Sequence, residues 1–327
     1  MNRRALMAST LAFAAFPAHA EETMQETDAS LIIDGVRIPG RLCLPAGAPV
    51  GAVLIVPGSL FSDVDGDYPS WNVRPHVYRD LAHQLAARGV ASLRQAKIGP
   101  GTGSETMDAT AAAAHLHFAE RVVVCRAALV RLRAAVPGVR VVAAGHSEGA
   151  VVTSLLGAES GVSLDGIVSL SGPSLRILDI MRAQTAAMMP GADMGVFDRA
   201  AAAIRAGQPL AEEARSNPML AGMVSMPPQA IAYLREVDEV DPCAAIARVR
   251  QPMLLVQGGR DQSVTPEQVD ALAAARGALP TQIERFAELQ HFYKRAPEGL
   301  DAMQSFGLSD ESDPAVAAAI TAWMTAL

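Results

Sequence analysis

Cysteine is scarce: Cys43, Cys125 and Cys243 are the three in 327 residues, too few and too far apart for a disulfide framework or a metal-binding spacing. At most one intrachain disulfide is possible. Each cysteine lies in a largely apolar segment, so three buried thiols are expected. Positive charge is also short, with 27 Lys and Arg against 34 Asp and Glu and a formal net charge of −7. A surface of that sign repels polyanions, which argues against nucleic acid or an anionic membrane as partner. After the first twenty residues no apolar run is long enough to span a bilayer, so no stable membrane insertion is expected.

Two apparent ligand motifs lack their decisive residues. Asp63-Val64-Asp65-Gly66-Asp67 resembles the start of a calcium loop, but the twelfth position is Arg74 where a bidentate glutamate is required, and the sixth is not glycine. It reads as a solvated acidic loop. The stretch 99–103 is rich in glycine but is not followed by Lys-Ser/Thr, so it is no phosphate loop. No metal and no cofactor is expected.

The N-terminus carries the marks of a signal peptide over 1–20: Arg3 and Arg4, an apolar stretch over 5–16, and Ala18-His19-Ala20 as a cleavage site before Glu21. Its removal takes two arginines and no acid, moving the formal charge from −7 to −9. Periplasmic or secreted location is therefore expected, followed by a polar, flexible stretch over 21–30.

Half of the residues are apolar, enough for a large core. Over 31–44 (LIIDGVRIPGRLCL) β-type residues broken by Asp34-Gly35 predict an antiparallel hairpin. Apolar runs at 51–56, 90–93, 141–144, 166–170 and 253–256 have the unbroken character of interior parallel strands, and 281–286 is a last strand. Helical patterns over 77–88, 108–135, 267–275 and 315–326 alternate with them, while 94–106 reads as a loop. Such alternation implies parallel βαβ units with helices on both faces. Strand signals vanish over 173–240, where Pro190, Pro209, Pro218, Pro227 and Pro228 interrupt a Met- and Ala-rich sequence; this predicts an inserted group of short helices, a helical cap, between core segments 31–172 and 241–327. Its methionines, Met181, Met188, Met189, Met194, Met219, Met223 and Met226, suit a plain core or an adaptable apolar pocket.

The chemistry is concentrated at Gly145-His146-Ser147-Glu148-Gly149, a G-x-S-x-G turn between a buried strand and a helix. A serine in such a turn is lifted clear of the sheet, and the crowding leaves room only for glycine two positions to either side. A hydroxyl needs a base, and the base a carboxylate that fixes its tautomer. Asp261 stands at the end of a predicted buried strand and His291 in the loop after the last one, both at the sheet edge where open parallel sheets place ligands. Asp241 and Asp165 compete as the acid, although Asp241-Pro242 reads as a helix start and Asp165-Gly166 as a turn. Of the other histidines, His76, His83, His115 and His117 sit in or before predicted helices, and His146 reads as a packing residue. An oxyanion needs backbone N–H donors already in place. Glu148, the residue after the nucleophile, is one candidate; Ser59, in the loop after 51–56, is the other, with Leu60 as the alternative.

Together Ile55-Val56-Pro57-Gly58-Ser59, the Leu81-Ala82, Leu85-Ala86 and Gly89-Val90 pattern, the Ser147 turn, Gly258-Gly259-Arg260-Asp261 and Gln290-His291 resemble the α/β-hydrolase family. More narrowly they are similar to exported bacterial esterases of the serine aminopeptidase-like (S33-type) group, whose first loop reads H-G-S-G-P-x-D-x-D-G. Gly58, Ser59, Asp63, Asp65 and Gly66 match that loop, while Pro57, Leu60 and Phe61 depart from it. Ala96 and Ile98 stand where such proteins carry an aspartate and a second basic residue of a structural ion pair. The resemblance implies an α/β-hydrolase fold with an inserted helical cap, and hydrolysis of small-molecule carboxylic esters through a Ser147 acyl-enzyme. A peptidase, lactonase or acyltransferase would use the same triad, and a binding protein of the same fold would use the pocket alone.

Overall fold

The computed structural model describes residues 23–60, 62–97, 105–106, 114–191 and 193–327. The expected signal peptide and the glycine-rich stretch 99–103 lie outside the described residues. In chain order the strands are β1 (Gln25–Asp28), β2 (Leu31–Ile33), β3 (Val36–Ile38), β4 (Gly40–Leu44), β5 (Gly51–Val56), β6 (Val90–Gln95), β7 (Glu105–Thr106), β8 (Val141–His146), β9 (Gly166–Leu170), β10 (Met253–Gly258) and β11 (Thr281–Phe286). The described helices are α1 (Val77–Ala86), α2 (Phe118–Ala135), α3 (Glu148–Gly157), α4 (Ile177–Met188), α5 (Met194–Arg205), α6 (Pro218–Ala221), α7 (Pro228–Glu239), α8 (Pro242–Ala247), α9 (Gln268–Arg276), α10 (Ala302–Phe306) and α11 (Pro314–Ala326).

Strands β5, β6, β8, β9 and β10 are buried at every position, as unbroken apolar runs demand when helices cover both faces. They form the centre of an eight-stranded sheet ordered β1-β4-β6-β5-β8-β9-β10-β11. All pairings from β6 to β11 are parallel, and β4 and β1 add two antiparallel strands at one edge. Alternate residues feed two cores. Leu54, Val56 and Ala143 pack with Leu129 of α2, Val152 of α3 and Leu272 of α9; Val53, Ile55 and Val142 pack with Leu85 of α1 and Ile320 of α11. The crossovers run one way from β5 to β6 and the other way to β8, so the order switches beside β5. The loops after β5 and β8 therefore open into one crevice, where doubly wound sheets bind ligands.

Between β9 and α8 the chain leaves the sheet, and α4 to α7 bury a small core of their own around Leu178, Phe197, Ile204 and Leu220. Among the described residues no helix is long and apolar enough to cross a membrane.

Several expectations change. Helix α2 begins at Phe118 and residues 115–117 before it are not helical, so the pattern over 108–135 is not one helix. Residues 25–28 are an edge strand paired with β4, not a frayed tail. The hairpin at Asp34-Gly35 exists, but β2 and β3 build a separate three-stranded sheet with β7, and it is β4 that enters the main sheet. Arg94 and Gln95 belong to β6, and 105–106 is strand β7, so 94–106 is not wholly loop. The acidic loop is only partly solvated: Asp63 Oδ1 accepts the N–H groups of Asp65 and Asp67, Asp67 is buried, and Asp65 lies 2.7 Å from the buried Arg94 guanidinium. Arg94 also binds Glu26 of β1, so this edge keeps an ion pair despite Ala96. Cys43 and Cys125 are buried, Cys243 is half-buried, and all three are unpaired.

Candidate active site

Strand β8 hands the chain to α3 through Ser147, whose φ of 54° and ψ of −124° are strained for any residue but glycine. The flanking glycines are steric requirements. A Cβ on Gly145 would stand 2.6 Å from the amide nitrogen of Ala150, and one on Gly149 would stand 2.6 Å from the carbonyl oxygen of Pro57. The turn thus presses β8, α3 and the loop after β5 together and leaves the Ser147 side chain partly exposed.

Asp261 follows β10 and is 2% exposed. Its Oδ1 accepts the N–H groups of Ser263 at 2.8 Å and Val264 at 2.9 Å, and its Oδ2 lies 2.8 Å from His291 Nδ1. A carboxylate so held keeps the ring hydrogen on Nδ1 and leaves Nε2 as the acceptor, the arrangement a general base needs. His291 and Ser147 line the same cavity. The rival residues are engaged elsewhere. Asp241 caps α8 through the Ala244 N–H, Asp165 accepts from Val141 N–H at 2.7 Å, His76 pairs with Asp67, His83 with Glu26, His115 with Glu120, and His117 with Glu236.

His146 is a packing residue with a defined tautomer. Its Nε2–H donates to the carbonyl of His291 at 2.9 Å, and its Nδ1 accepts from the Tyr78 hydroxyl at 3.1 Å, which in turn accepts from Gly58 N–H at 2.8 Å. Burial, reinforced by the neighbouring His291, pushes its pKa down to about 3.

In the loop after β5, Gly58 is close enough to the elbow that a Cβ there would lie 3.2 Å from Ser147 Cβ. Leu60 has φ +66° and is exposed. The Ser59 hydroxyl donates to Glu148 Oε2 at 3.0 Å. Glu148 opens α3, so its N–H has no carbonyl one turn back to bind. Its side chain is buried against Lys97 Nζ at 3.1 Å, the Arg121 guanidinium and the Tyr233 hydroxyl at 2.9 Å. Burial alone would raise this carboxyl; Lys97 and Arg121 instead hold it down to about 2. Lys97, pushed down by burial and up by Glu148, settles at about 8. Sequence reasoning missed Lys97, Arg121, Tyr233 and Tyr78. Lys97 follows Arg94 and Gln95, and Arg121 follows Glu120, so neither stands out in sequence as a buried cation.

Above Ser147 lies a cavity of about 490 Å³, within the range that accepts small organic ligands. Met181, Met219, Met223 and Met226 line it from the helical segment, and Tyr68, Trp71, Phe292 and Phe306 line another side. Met194 packs in the core of that segment instead, and Met188 is exposed.

A mostly parallel sheet with a strained serine between strand and helix defines the α/β-hydrolase architecture. The model of the alpha/beta hydrolase family matches residues 53–297, and the chain belongs to that family. Esterase EstD of Thermotoga maritima is 26% identical over 306 residues, which span 93% of this chain and 68% of that protein. Among solved structures, Est1E from Butyrivibrio proteoclasticus is similar at a TM-score of 0.54 and 16% identity, covering 91% of this chain and 98% of that one. A thermostable carboxyl esterase from Bacillus coagulans in complex with glycerol is similar at a TM-score of 0.57 and 13% identity, covering 93% and 99%. At such identities the structural likeness establishes the fold alone.

Proposed function

We propose that this chain is a serine hydrolase that cleaves small carboxylic esters through an acyl-enzyme on Ser147, with His291 as base and Asp261 as its orienting acid. The observation that carries this reading is the His291–Asp261 bond at 2.8 Å, in a loop whose histidine faces the same cavity as the strained Ser147. His291 Nε2 takes the hydroxyl proton as Ser147 Oγ bonds the acyl carbon. The negative charge on the former carbonyl oxygen is met by the N–H groups of Glu148 and Ser59. The imidazolium then protonates the departing alcohol, and water repeats the cycle on the acyl-enzyme, restoring Ser147 and releasing the acid.

The ester preference is supported by the esterase EstD relative and by the cavity wall. Among the described residues, Lys97 is the cationic side chain on that wall, and it is engaged by Glu148. An apolar neutral acyl or alcohol group fits such a site better than a charged peptide end. The helices over 173–240 act as its cap. The leader-like sequence over 1–20 supports export, and the S33-type esterase group remains the narrower assignment on the loop residues Gly58, Ser59, Asp63, Asp65 and Gly66.

The test is turnover of p-nitrophenyl butyrate by the parent and by Ser147→Ala, with fluorophosphonate labelling of both. Ser147→Ala is expected to lower kcat by roughly 10⁶-fold and to abolish labelling. Retained activity removes Ser147 from the mechanism, and a folded parent protein that neither turns over nor labels favours the binding-protein reading. Rates on amino-acid amides and lactones separate the peptidase and lactonase alternatives. Secretion with an N-terminus at Glu21 tests the export proposal.

A further inference from the structure

We propose that the Glu148 carboxylate is a positioning residue that sets the oxyanion loop through Ser59 and ties that loop to the helical segment through Tyr233. The inference rests on the esterase reading above. Its starting point is that the two residues assigned to donate backbone N–H groups to the oxyanion are joined by their own side chains, Ser59 Oγ to Glu148 Oε2 at 3.0 Å. Glu148 directly follows the nucleophile in a helix whose first turn is buried, so its carboxylate is a fixed post beside Ser147. The loop is held at successive residues, to that post through Pro57 and Ser59 and to the neighbouring Tyr78 through Gly58. Arg121 binds both Glu148 Oε1 and the carbonyl of Pro57, Gly58 N–H donates to Tyr78, and Ser59 binds Oε2 directly.

A further attachment comes from outside the sheet. Tyr233 on α7 donates to Glu148 Oε1 at 2.9 Å, and its ring lies 4.6 Å from Lys97 Nζ, which binds the same oxygen at 3.1 Å. Any movement of α7 away from the sheet breaks the Tyr233 bond and loosens the post. Net stability is a weak reason for such a cluster, because buried ion pairs roughly break even against well-packed apolar groups. Fixing donors to within a fraction of an ångström is a strong one, since oxyanion stabilisation depends on donors that need no rearrangement.

The experiment measures kcat and KM for p-nitrophenyl butyrate, and the affinity of an aliphatic trifluoromethyl ketone, in Ser59→Ala, Ser59→Thr, Tyr233→Phe and Glu148→Gln. This ketone forms the tetrahedral adduct and so reads the oxyanion site. In Ser59→Ala we expect kcat and ketone affinity to fall together by about tenfold or more, with KM within about twofold, because a misplaced donor loses part of the roughly 10²–10³ that one donor is worth. Ser59→Thr keeps the hydroxyl and restores both, and Tyr233→Phe lowers both in the same proportion. Unchanged kcat and ketone affinity in folded Ser59→Ala overturns the proposal, whatever Glu148→Gln does to folding. A parent enzyme without ester turnover or fluorophosphonate labelling overturns the esterase reading instead, and this inference falls with it.

Discussion

Asp261 divides its two carboxylate oxygens: one accepts the main-chain N–H groups of Ser263 and Val264, and the other holds His291 Nδ1 at 2.8 Å. The main chain thus fixes the carboxylate independently of the imidazole. Asp261→Asn keeps the shape, but its amide can donate to Nδ1, which favours the wrong tautomer. We predict a loss of kcat of roughly four orders of magnitude with KM and thermal unfolding little changed. Steady-state kinetics and a melting curve on the same sample check this; activity within tenfold of the parent removes Asp261 from the proposed triad.

The crowding at Gly149 predicts a stability effect. A methyl group there meets the carbonyl of Val56 and stands 2.6 Å from that of Pro57, backbone atoms at the end of β5 and the start of the loop after it. Gly149→Ala should cost roughly 1–3 kcal/mol in urea titration, as overpacked cores do, and lower kcat by shifting the loop. Parent-like unfolding would show that the loop yields freely.

His146 gives the protein a pH dependence of known sign. Folded, its pKa is depressed to about 3 from an ordinary 6.5, so between those values the unfolded chain binds the proton and the native one does not. The contribution is complete above about pH 6.5 and is lost as pH falls towards 3, with a slope approaching about 1.4 kcal/mol per pH unit. Glu148, held at about 2, adds a second loss that begins only below its ordinary 4.5. Urea midpoints measured from about pH 7 to about pH 4.5 should fall in the parent and stay flatter in His146→Asn.

Met223 projects into the cavity from the helical segment. Met223→Trp should shorten the accepted acyl chain, lowering kcat/KM for octanoate esters by roughly 10- to 100-fold while acetate esters stay within a factor of a few. Equal losses on both would place Met223 away from the acyl group.

Much of this is legible in the sequence. The unbroken run at 141–144 followed by Gly-x-Ser-x-Gly announces a buried strand, a strained turn and a helix, because no other residues tolerate that crowding. Asp261 and His291 are singled out by their places in the loops after two strands, and the structure sets them 2.8 Å apart. Two things were not readable. Strand β1 is exposed at all four positions, so Gln25-Glu26-Thr27-Asp28 shows no alternation; it pairs through its backbone, which leaves no trace in side-chain hydropathy. The Glu148 cluster joins residues 27 to 89 positions apart, and Arg121 in a helix reads as a solvent-facing cation until the fold turns it inward.

The cysteines carry a consequence for where such a protein can work. Burial pushes the Cys125 thiol up to about 12, and burial together with Glu26 pushes Cys43 up to about 11. Oxidants and disulfide exchange act on thiolates, and at neutral pH these two sulfurs hold almost none. Buried and held in the thiol form, Cys43 and Cys125 are poor targets for oxidants and disulfide exchange, which leaves the half-buried Cys243 as the more accessible of the three sulfurs.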